Sequence, residues 1–153
     1  VYKLAAIADD QGGFIPKIKL SENTEKVTNP GNKTFFRIYD KESGKIKADL
    51  ICLHDETFDT DQDMKLFDPN EPWKKTTLPG GSYTMKEMLV PVICQGKRVY
   101  DTPPVMEIQK ICNQEKETLW EENKRFTNPS KIHVDLSQKL YDMKQSLLSE
   151  MSR

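Results

Sequence analysis

The spacing of apolar residues along the sequence changes near Pro103, and this change restricts the fold more than any other feature. Before Pro103, apolar residues form short runs and alternations separated by turn residues, which is the pattern of β-strands. After Pro103, apolar residues recur every three or four positions, as in amphipathic helices. We therefore expect an α+β chain, with β-rich strands and hairpins followed by two amphipathic carboxyl-terminal helices.

Turn residues divide the β-rich part into pairs of strands. The clearest hairpin joins residues 34–40 to residues 45–53 through the turn Lys41-Glu42-Ser43-Gly44. The second strand of this hairpin has one apolar face, which should be buried and which consists of Ile46, Ala48, Leu50 and Cys52. The other predicted strands span residues 1–7, 14–20, 87–94 and 97–100. The acidic segment 55–70 is predicted to cross the surface as a loop.

Two helices are predicted in the last third. Thr102 has the residue type of an N-cap before Pro103 at the first helical position, and the first helix should span residues 104–125 before Asn128-Pro129 stops it. The second helix should begin near Asp135, where Gln138 completes a capping-box spacing.

Apolar stripes on both helices predict that each packs into the core. The first stripe consists of Ile108, Ile111, Cys112, Leu119 and Trp120, and the second of Leu136, Leu140, Met143, Leu147 and Met151. We expect Trp120 and Leu140 to be buried, because both lie in stripes flanked by charged residues.

Composition limits the class of protein. The chain has 153 residues, of which 36% are hydrophobic and 31% charged, so it has the size of one domain with a modest core. Its net charge of −1 argues against a nucleic-acid partner, which would require a basic excess. Since no apolar run approaches the roughly eighteen residues of a membrane span, a membrane partner is not expected either.

The cysteines favour a reducing compartment. Cys52 and Cys94 fall in apolar strand contexts and Cys112 on a helix face, and their number is odd. We expect buried free thiols rather than a disulfide framework, which predicts a cytoplasmic protein.

Residues 16–33, here named the lysine segment, are the best candidate for a binding site. The segment carries lysines at positions 17, 19, 26 and 33 together with hydroxyl residues and a Pro30-Gly31 turn. Ammonium groups on long stems and exposed turn N–H groups are suited to phosphate oxygens. The competing interpretation is a solvated surface loop after a strand.

Other candidate sites fail on their spacing. Asp59, Asp61 and Asp63 resemble the start of a calcium loop, but Met64 occupies the position where that loop needs Gly. Gly96-Lys97 has no upstream Gly of a phosphate loop and is better explained as a hairpin turn. His54 and His133 lie far apart without a paired cysteine motif, so a zinc site is not predicted.

Several short segments, taken in order, resemble one known family. They are Val1-Tyr2-Lys3-Leu4, Lys19-Leu20-Ser21-Glu22, Glu25-Lys26-Val27-Thr28-Asn29-Pro30-Gly31, Phe36-Arg37-Ile38-Tyr39, Leu89-Val90-Pro91-Val92, Gly96-Lys97-Arg98-Val99-Tyr100, Lys124-Arg125-Phe126-Thr127-Asn128-Pro129 and Val134-Asp135-Leu136-Ser137-Gln138-Lys139-Leu140. With these segments the chain resembles the carboxyl-terminal part of the nicotinate phosphoribosyltransferase family. Residues 55–75 carry little of the resemblance beyond Asp68-Pro69 and Pro72-Trp73.

The resemblance implies a fragment of a larger α/β-barrel phosphoribosyltransferase. The parent enzyme would transfer phosphoribosyl from phosphoribosyl pyrophosphate to nicotinate, with magnesium on the diphosphate and ATP hydrolysis coupled to turnover. It would act as a homodimer in NAD biosynthesis. Residues 1–54 would continue the barrel region and residues 55–153 would form the carboxyl-terminal α+β region. Neither histidine matches the family's catalytic one, so we expect this chain alone to be inactive and to bind no cofactor itself.

The resemblance also assigns the candidate site. Lys19 and Lys26 match basic positions that contribute to the phosphoribosyl pyrophosphate pocket, and Ser21 is a possible hydroxyl donor there. Lys17 and Lys33 are expected to be surface charges. The alternative function is a non-catalytic structural cap or dimerisation region that stabilises the barrel.

Overall fold

The computed structural model of the chain describes residues 2–23, 26–71 and 73–151. Its main element is a six-stranded sheet formed by β3 (Lys33–Asp40), β4 (Ile46–Leu53), β5 (Met64–Phe67), β6 (Lys75–Leu78), β7 (Tyr83–Glu87) and β10 (His133–Leu136). The strands lie in the order β6-β5-β10-β4-β3-β7. Neighbouring strands are antiparallel except for β10 and β4, which are parallel.

Four short strands and two helices complete the fold. Two small antiparallel pairs are β1 (Ala6–Ala8) with β2 (Phe14–Pro16) and β8 (Ile93–Cys94) with β9 (Lys97–Arg98). The helices are α1 (Val105–Glu117) and α2 (Gln138–Met151). The predicted α+β architecture, with hairpins followed by two carboxyl-terminal helices, is confirmed.

One face of the sheet carries the larger core cluster. It consists of Ile38, Ala48, Leu50, Cys52, Met64, Leu66, Leu78 and Tyr83, with Phe36, Phe58 and Met85 packed against it. Tyr83 donates its hydroxyl hydrogen to the carbonyl of Gln62 at 2.9 Å, which holds the segment before β5 over this face. The predicted burial of the alternating face of β4 is therefore confirmed.

Helix α2 covers part of the opposite face. Leu53, Phe67, Leu136 and Leu140 form the second buried cluster, with Tyr141 and Met143 packed against it. The ring of Tyr141 stacks on that of Phe67, with centroids 4.8 Å apart. Leu140 is fully buried, as predicted.

Helix α1 departs from the prediction. It has no buried residue and ends at Glu117, eight residues before the predicted end, and Trp120 is 41% exposed. The contacts that follow the helix are polar, since Ile46 N–H donates to the Thr118 carbonyl at 2.9 Å and the Trp120 indole N–H donates to the Ile46 carbonyl at 2.6 Å. The prediction that Trp120 is buried was wrong because the hydrogen bond from its indole N–H to the Ile46 carbonyl holds the side chain at the start of β4, where it stays partly exposed.

Two elements lie where the sequence predicted something else. Strand β5 lies inside the segment predicted as a loop, because three apolar residues among acidic neighbours, Met64, Leu66 and Phe67, are enough to pair with β6. Asp135 lies in β10 rather than at the start of a helix. Ser137 caps α2 instead, its hydroxyl accepting the Leu140 N–H at 3.2 Å.

The remaining strand boundaries are shorter than predicted. The first two strands keep only Ala6–Ala8 and Phe14–Pro16 of the predicted residues 1–7 and 14–20, and Val1 lies outside the described residues. The hairpin around Gln95-Gly96 keeps two residues on each side. Pro104, not Thr102, precedes α1, and no side chain caps that helix.

The cysteines are free thiols in two different environments. Cys52 is buried, and burial raises the pKa of its thiol to about 12. Cys94 and Cys112 are exposed, so the prediction that they are buried was wrong. The cause is that β8 and α1, which carry them, bury no side chain.

Within residues 2–23, 26–71 and 73–151, none of the helices has the length and apolar character needed to cross a bilayer.

The six-stranded sheet takes strands from both sides of residue 54, the predicted boundary between the two parts of the chain. The division into residues 1–54 and 55–153 therefore stays a prediction.

We expect Leu140→Ala to lower the free energy of unfolding by about 2–5 kcal/mol, because it removes a fully buried side chain between α2 and the sheet. Urea denaturation of the chain measures this loss. The control is Val105→Ala on α1, a residue 79% exposed, which should change the stability by no more than about 0.5 kcal/mol. Equal effects of the two substitutions would contradict the packing of α2 described above.

Candidate anion-binding site

The carbonyl of Ala5 joins the two ends of the lysine segment. It accepts the N–H of Lys17 at 2.8 Å and the N–H of Gly31 at 2.7 Å. Since both donors bond to the carbonyl oxygen of the residue that precedes β1, the backbone at Lys17 is held close to the backbone at Gly31, and residues 17–31 form a closed loop. The exposed residues of the loop lie between these two positions.

A second hydrogen bond inside the loop brings the candidate lysines together. The N–H of Lys19 donates to the Thr28 hydroxyl oxygen at 2.9 Å, and Thr28 lies two residues after Lys26. Both lysine side chains are exposed. The two main-chain arms that carry Lys19 and Lys26 therefore run beside each other, although their assignment to an anion stays a prediction.

Ser21 takes part in a turn between the two lysines. Its hydroxyl oxygen accepts the N–H of Asn23 at 3.3 Å, and the Asn23 carbonyl accepts the N–H of Lys26 at 2.9 Å. A serine hydroxyl that accepts one bond can still donate its hydrogen to another acceptor. Ser21 therefore keeps the donor capacity that its predicted role requires. Thr24 and Glu25 are outside the described residues.

Lys3 is a further cation at this site that sequence analysis missed. Its Nζ donates to the Lys26 carbonyl at 3.1 Å, and its side chain is exposed. Lys3 precedes β1, twenty-three positions before Lys26. No local spacing could have indicated this contact, because it depends on the pairing of β1 with β2 and on loop closure.

Lys33 is not the surface charge that was predicted. Its Nζ donates to the Gly31 carbonyl at 2.6 Å, and burial lowers the pKa of its ammonium group. Lys17 is also partly buried. For Lys33 the prediction failed because its ammonium group bonds to the carbonyl of Gly31 at the closed end of the loop.

Lys144 contacts the loop from helix α2. This residue is only 5% exposed, and its Nζ donates to the Asn29 side-chain oxygen at 3.0 Å. Its position carried a signal, since it lies one helical turn after Leu140 in a stripe of otherwise apolar residues. Two ammonium groups thus contact the loop from outside it, that of Lys3 from the segment before β1 and that of Lys144 from α2.

Two cavities allow a comparison of the surrounding charge. One of about 360 Å³ lies next to Phe58, and its lining has three carboxylates, those of Glu56, Asp59 and Asp63, against the one ammonium group of Lys65, so its net charge opposes an anion. Another of about 430 Å³ lies at the end of the lysine segment and is lined by Gly12, Gly13, Phe14, Gly31, Asn32, Leu53, His54, Asp55 and Met143. The second has room for a small molecule, but its lining includes the carboxylate of Asp55 and neither Lys19 nor Lys26.

The side chains at the loop have the chemical groups that suit an anion. They supply ammonium groups and a hydroxyl, both of which stabilise negative charge. Among residues 2–23, 26–71 and 73–151, no group of three or more His, Cys, Asp or Glu side chains could hold a metal ion. Binding of a phosphate or diphosphate is the chemistry that this arrangement supports.

A comparison with known protein families finds a match over most of the chain. The model of the nicotinate phosphoribosyltransferase C-terminal domain matches residues 32–144. That range includes Lys33 and Lys144 but not Lys19, Ser21 or Lys26. The family match therefore does not test the site assignment.

Individual relatives cover nearly the whole chain. Nicotinate phosphoribosyltransferase of Bacillus subtilis is 31% identical over 151 residues, which are 99% of this chain and 30% of that protein. The Caenorhabditis elegans protein of the same name is 30% identical over 149 residues, 96% of this chain and 25% of that protein. The chain thus spans less than a third of the length of these relatives.

A solved structure shares the fold. The crystal structure of human nicotinic acid phosphoribosyltransferase superimposes with a TM-score of 0.70 and 22% sequence identity. The alignment covers 79% of this chain and 24% of the human one. The similarity therefore shows a shared fold over the aligned part of this chain.

We expect Gly31→Ala to destabilise the chain by about 1–3 kcal/mol. Gly31 has φ +87°, and an added Cβ would lie 2.8 Å from Leu53 Cδ2 and 3.3 Å from Met143 Sδ. The control is Gly12→Ala, since Gly12 has φ +83° but no atom within 4 Å of the added Cβ. Thermal unfolding of both variants separates backbone strain from the close contact, and equal losses would show that the contact with Leu53 and Met143 has no effect.

Proposed function

We propose a function from the premise that this chain belongs to the nicotinate phosphoribosyltransferase family, whose C-terminal domain it matches. The chain acts as the carboxyl-terminal domain of an enzyme that transfers phosphoribosyl from phosphoribosyl pyrophosphate to nicotinate. The products are nicotinate mononucleotide and pyrophosphate, and the reaction belongs to NAD biosynthesis. The enzyme is a cytoplasmic homodimer that couples turnover to ATP hydrolysis. The names of the relatives support this reaction.

The lysine segment supplies the diphosphate contacts of this enzyme. The observation that carries the proposal is the hydrogen bond from Lys19 N–H to the Thr28 hydroxyl, because it aligns the arms that carry Lys19 and Lys26. Two exposed ammonium groups on adjacent arms can bind one diphosphate together, and Ser21 adds a hydroxyl donor between them. The acidic lining of the cavity near Phe58 makes that region unsuitable for the same ligand.

These contacts assist the departure of pyrophosphate. As the ring nitrogen of nicotinate bonds to C1 of the ribose, the bond from C1 to the diphosphate oxygen breaks, and its electron pair leaves with pyrophosphate. Negative charge grows on the leaving oxygen, and fixed ammonium groups stabilise it. Recognition of nicotinate and proton transfer belong to other parts of the enzyme.

Magnesium and ATP are not assigned to this chain. Among the described residues, no group of three or more His, Cys, Asp or Glu side chains could hold a metal ion. In the proposed enzyme, magnesium would accompany the diphosphate and add positive charge to that of the lysines. The lysines therefore act only through their own positive charge.

A second function, as a structural cap or dimerisation region, is favoured by one observation. A run of exposed apolar side chains extends from the end of β7 to α1, namely Leu89, Val90, Val92, Ile93, Val99, Tyr100, Val105, Met106, Ile108 and Ile111. Exposed apolar surface of this extent indicates a contact with another protein surface. Binding of diphosphate and packing against the barrel or a second subunit are compatible, but they predict different effects of substitution at Lys19 and Lys26.

We expect Lys19→Ala and Lys26→Ala in the full-length enzyme each to lower kcat/KM for phosphoribosyl pyrophosphate about ten- to hundredfold. The reason is the loss of a charge-assisted contact worth about 1.5–3 kcal/mol. Steady-state kinetics at varied phosphoribosyl pyrophosphate measures the effect. Stability should hardly change, because both side chains are exposed.

The control for these variants is Lys41→Ala. Lys41 is exposed at the turn between β3 and β4, whereas Lys33 bonds to Gly31 and is not a neutral control. If Lys19→Ala and Lys26→Ala behave like Lys41→Ala while the enzyme stays dimeric, the segment is a scaffold. The structural function would then be the better proposal.

We also expect the 153-residue chain alone to form no nicotinate mononucleotide above background. It contributes binding groups, while His54 and His133 do not match the family's catalytic histidine. The assay measures product after incubation with nicotinate, phosphoribosyl pyrophosphate, magnesium and ATP, and the Bacillus subtilis enzyme serves as the positive control. Turnover by the chain alone would refute the division of roles proposed above.

A further inference from the structure

Lys144 is a buried cation that donates hydrogen bonds to two neutral oxygens. It is 5% exposed, and its Nζ donates to the Asn29 side-chain oxygen at 3.0 Å and to the Pro69 carbonyl at 3.4 Å. None of the ion pairs formed by residues 2–23, 26–71 and 73–151 includes Lys144. Helix α2 therefore holds a positive charge in its buried surface without a carboxylate partner among the residues that the structure describes.

Stability alone does not explain this lysine. Removing an ammonium group from water is unfavourable, and burial lowers the pKa of Lys144 accordingly. Position 144 follows Leu140 and Met143 in the apolar stripe of α2, where methionine would fill a similar volume without that cost. The lysine must therefore provide something that packing does not require.

What Lys144 provides is a link between three segments. The ammonium group belongs to α2, Asn29 belongs to the lysine segment, and Pro69 lies in the connection between β5 and β6. Asn29 follows Thr28, whose hydroxyl accepts the N–H of Lys19. Fixing the Asn29 side chain therefore fixes the part of the loop that aligns both candidate lysines.

We infer that Lys144 is a positioning residue for the diphosphate site, acting through Asn29 on the loop that carries Lys19 and Lys26. This inference rests on the proposed function of the lysine segment. A loop held in its binding conformation loses less conformational freedom when the ligand binds, which increases affinity without a new contact. Lys144 itself is buried beneath the loop and need not touch the diphosphate.

The test uses Lys144→Met, Asn29→Ala and the double variant in the full-length enzyme. Lys144→Met keeps the length of the side chain but removes the donor and the charge. We expect amide hydrogen exchange in residues 26–31 to become faster and KM for phosphoribosyl pyrophosphate to rise about three- to tenfold. We expect kcat to stay within about twofold, because Lys144 does not touch the reacting atoms.

Four further variants separate positioning from a purely structural role. Asn29→Ala should raise KM to a similar extent, and the double variant should do no more than either single one, because both substitutions break the same hydrogen bond. Lys144→Arg, which keeps charge and donors, should recover part of the affinity. Lys139→Met, at an exposed lysine on the same helix, should leave exchange and KM unchanged. A structural role would instead lower the denaturation midpoint of Lys144→Met and leave KM unchanged.

The outcomes also separate this inference from the proposed function. If Lys19→Ala raises KM but Lys144→Met changes neither KM nor amide exchange, the inference is wrong and the diphosphate site stands. If Lys19→Ala and Lys26→Ala have no effect, the diphosphate site is wrong. The positioning role is then wrong as well, whatever the exchange rates in residues 26–31 are. Binding of inorganic pyrophosphate, measured as product inhibition, should weaken in parallel with KM.

Discussion

The insertion of β10 between β5 and β4 is the contact on which the rest of the structure depends. His133 pairs with Ala48 and Leu136 with Ile51 in parallel, while Leu136 also pairs with Phe67. Within the sheet, this strand is the hydrogen-bonded connection between the β5–β6 pair and the β4–β3–β7 part. Because α2 begins directly after β10, the same insertion places Leu140 in the core and Lys144 beneath the lysine segment.

At the candidate site, hydrogen bonds within the loop and from α2 restrict the positions of exposed lysine side chains. Exposed lysines on a free loop would sample many positions, and ordering them would oppose binding. Here one carbonyl, that of Ala5, closes the loop, Thr28 aligns its arms, and Lys144 holds it from below. The exposed ammonium groups of Lys19 and Lys26 therefore begin from a limited set of positions, as binding of a diphosphate requires.

The sequence predicted those features that depend on local periodicity. The hairpin of β3 and β4, its buried alternating face and the burial of Leu140 follow from spacing alone. It did not predict β5 or β10, because strands of four residues are too short to show a period and depend on distant partners. Trp120 was misplaced because an apolar stripe cannot reveal which surface covers it. At the site, Lys19 and Lys26 came from family resemblance, whereas Lys3 needed the folded chain.

The parallel pairing of β4 with β10 has a consequence for how the chain folds. A contact between residues 48 and 133 closes a long stretch of chain, and such contacts form slowly because the entropy of that stretch is lost first. During synthesis on the ribosome, β3 and β4 can pair early, but the edge of β4 stays open until His133–Leu136 has left the exit tunnel. In that interval, an unpaired strand rich in isoleucine and leucine is exposed, so this is the stage at which chaperones would matter most.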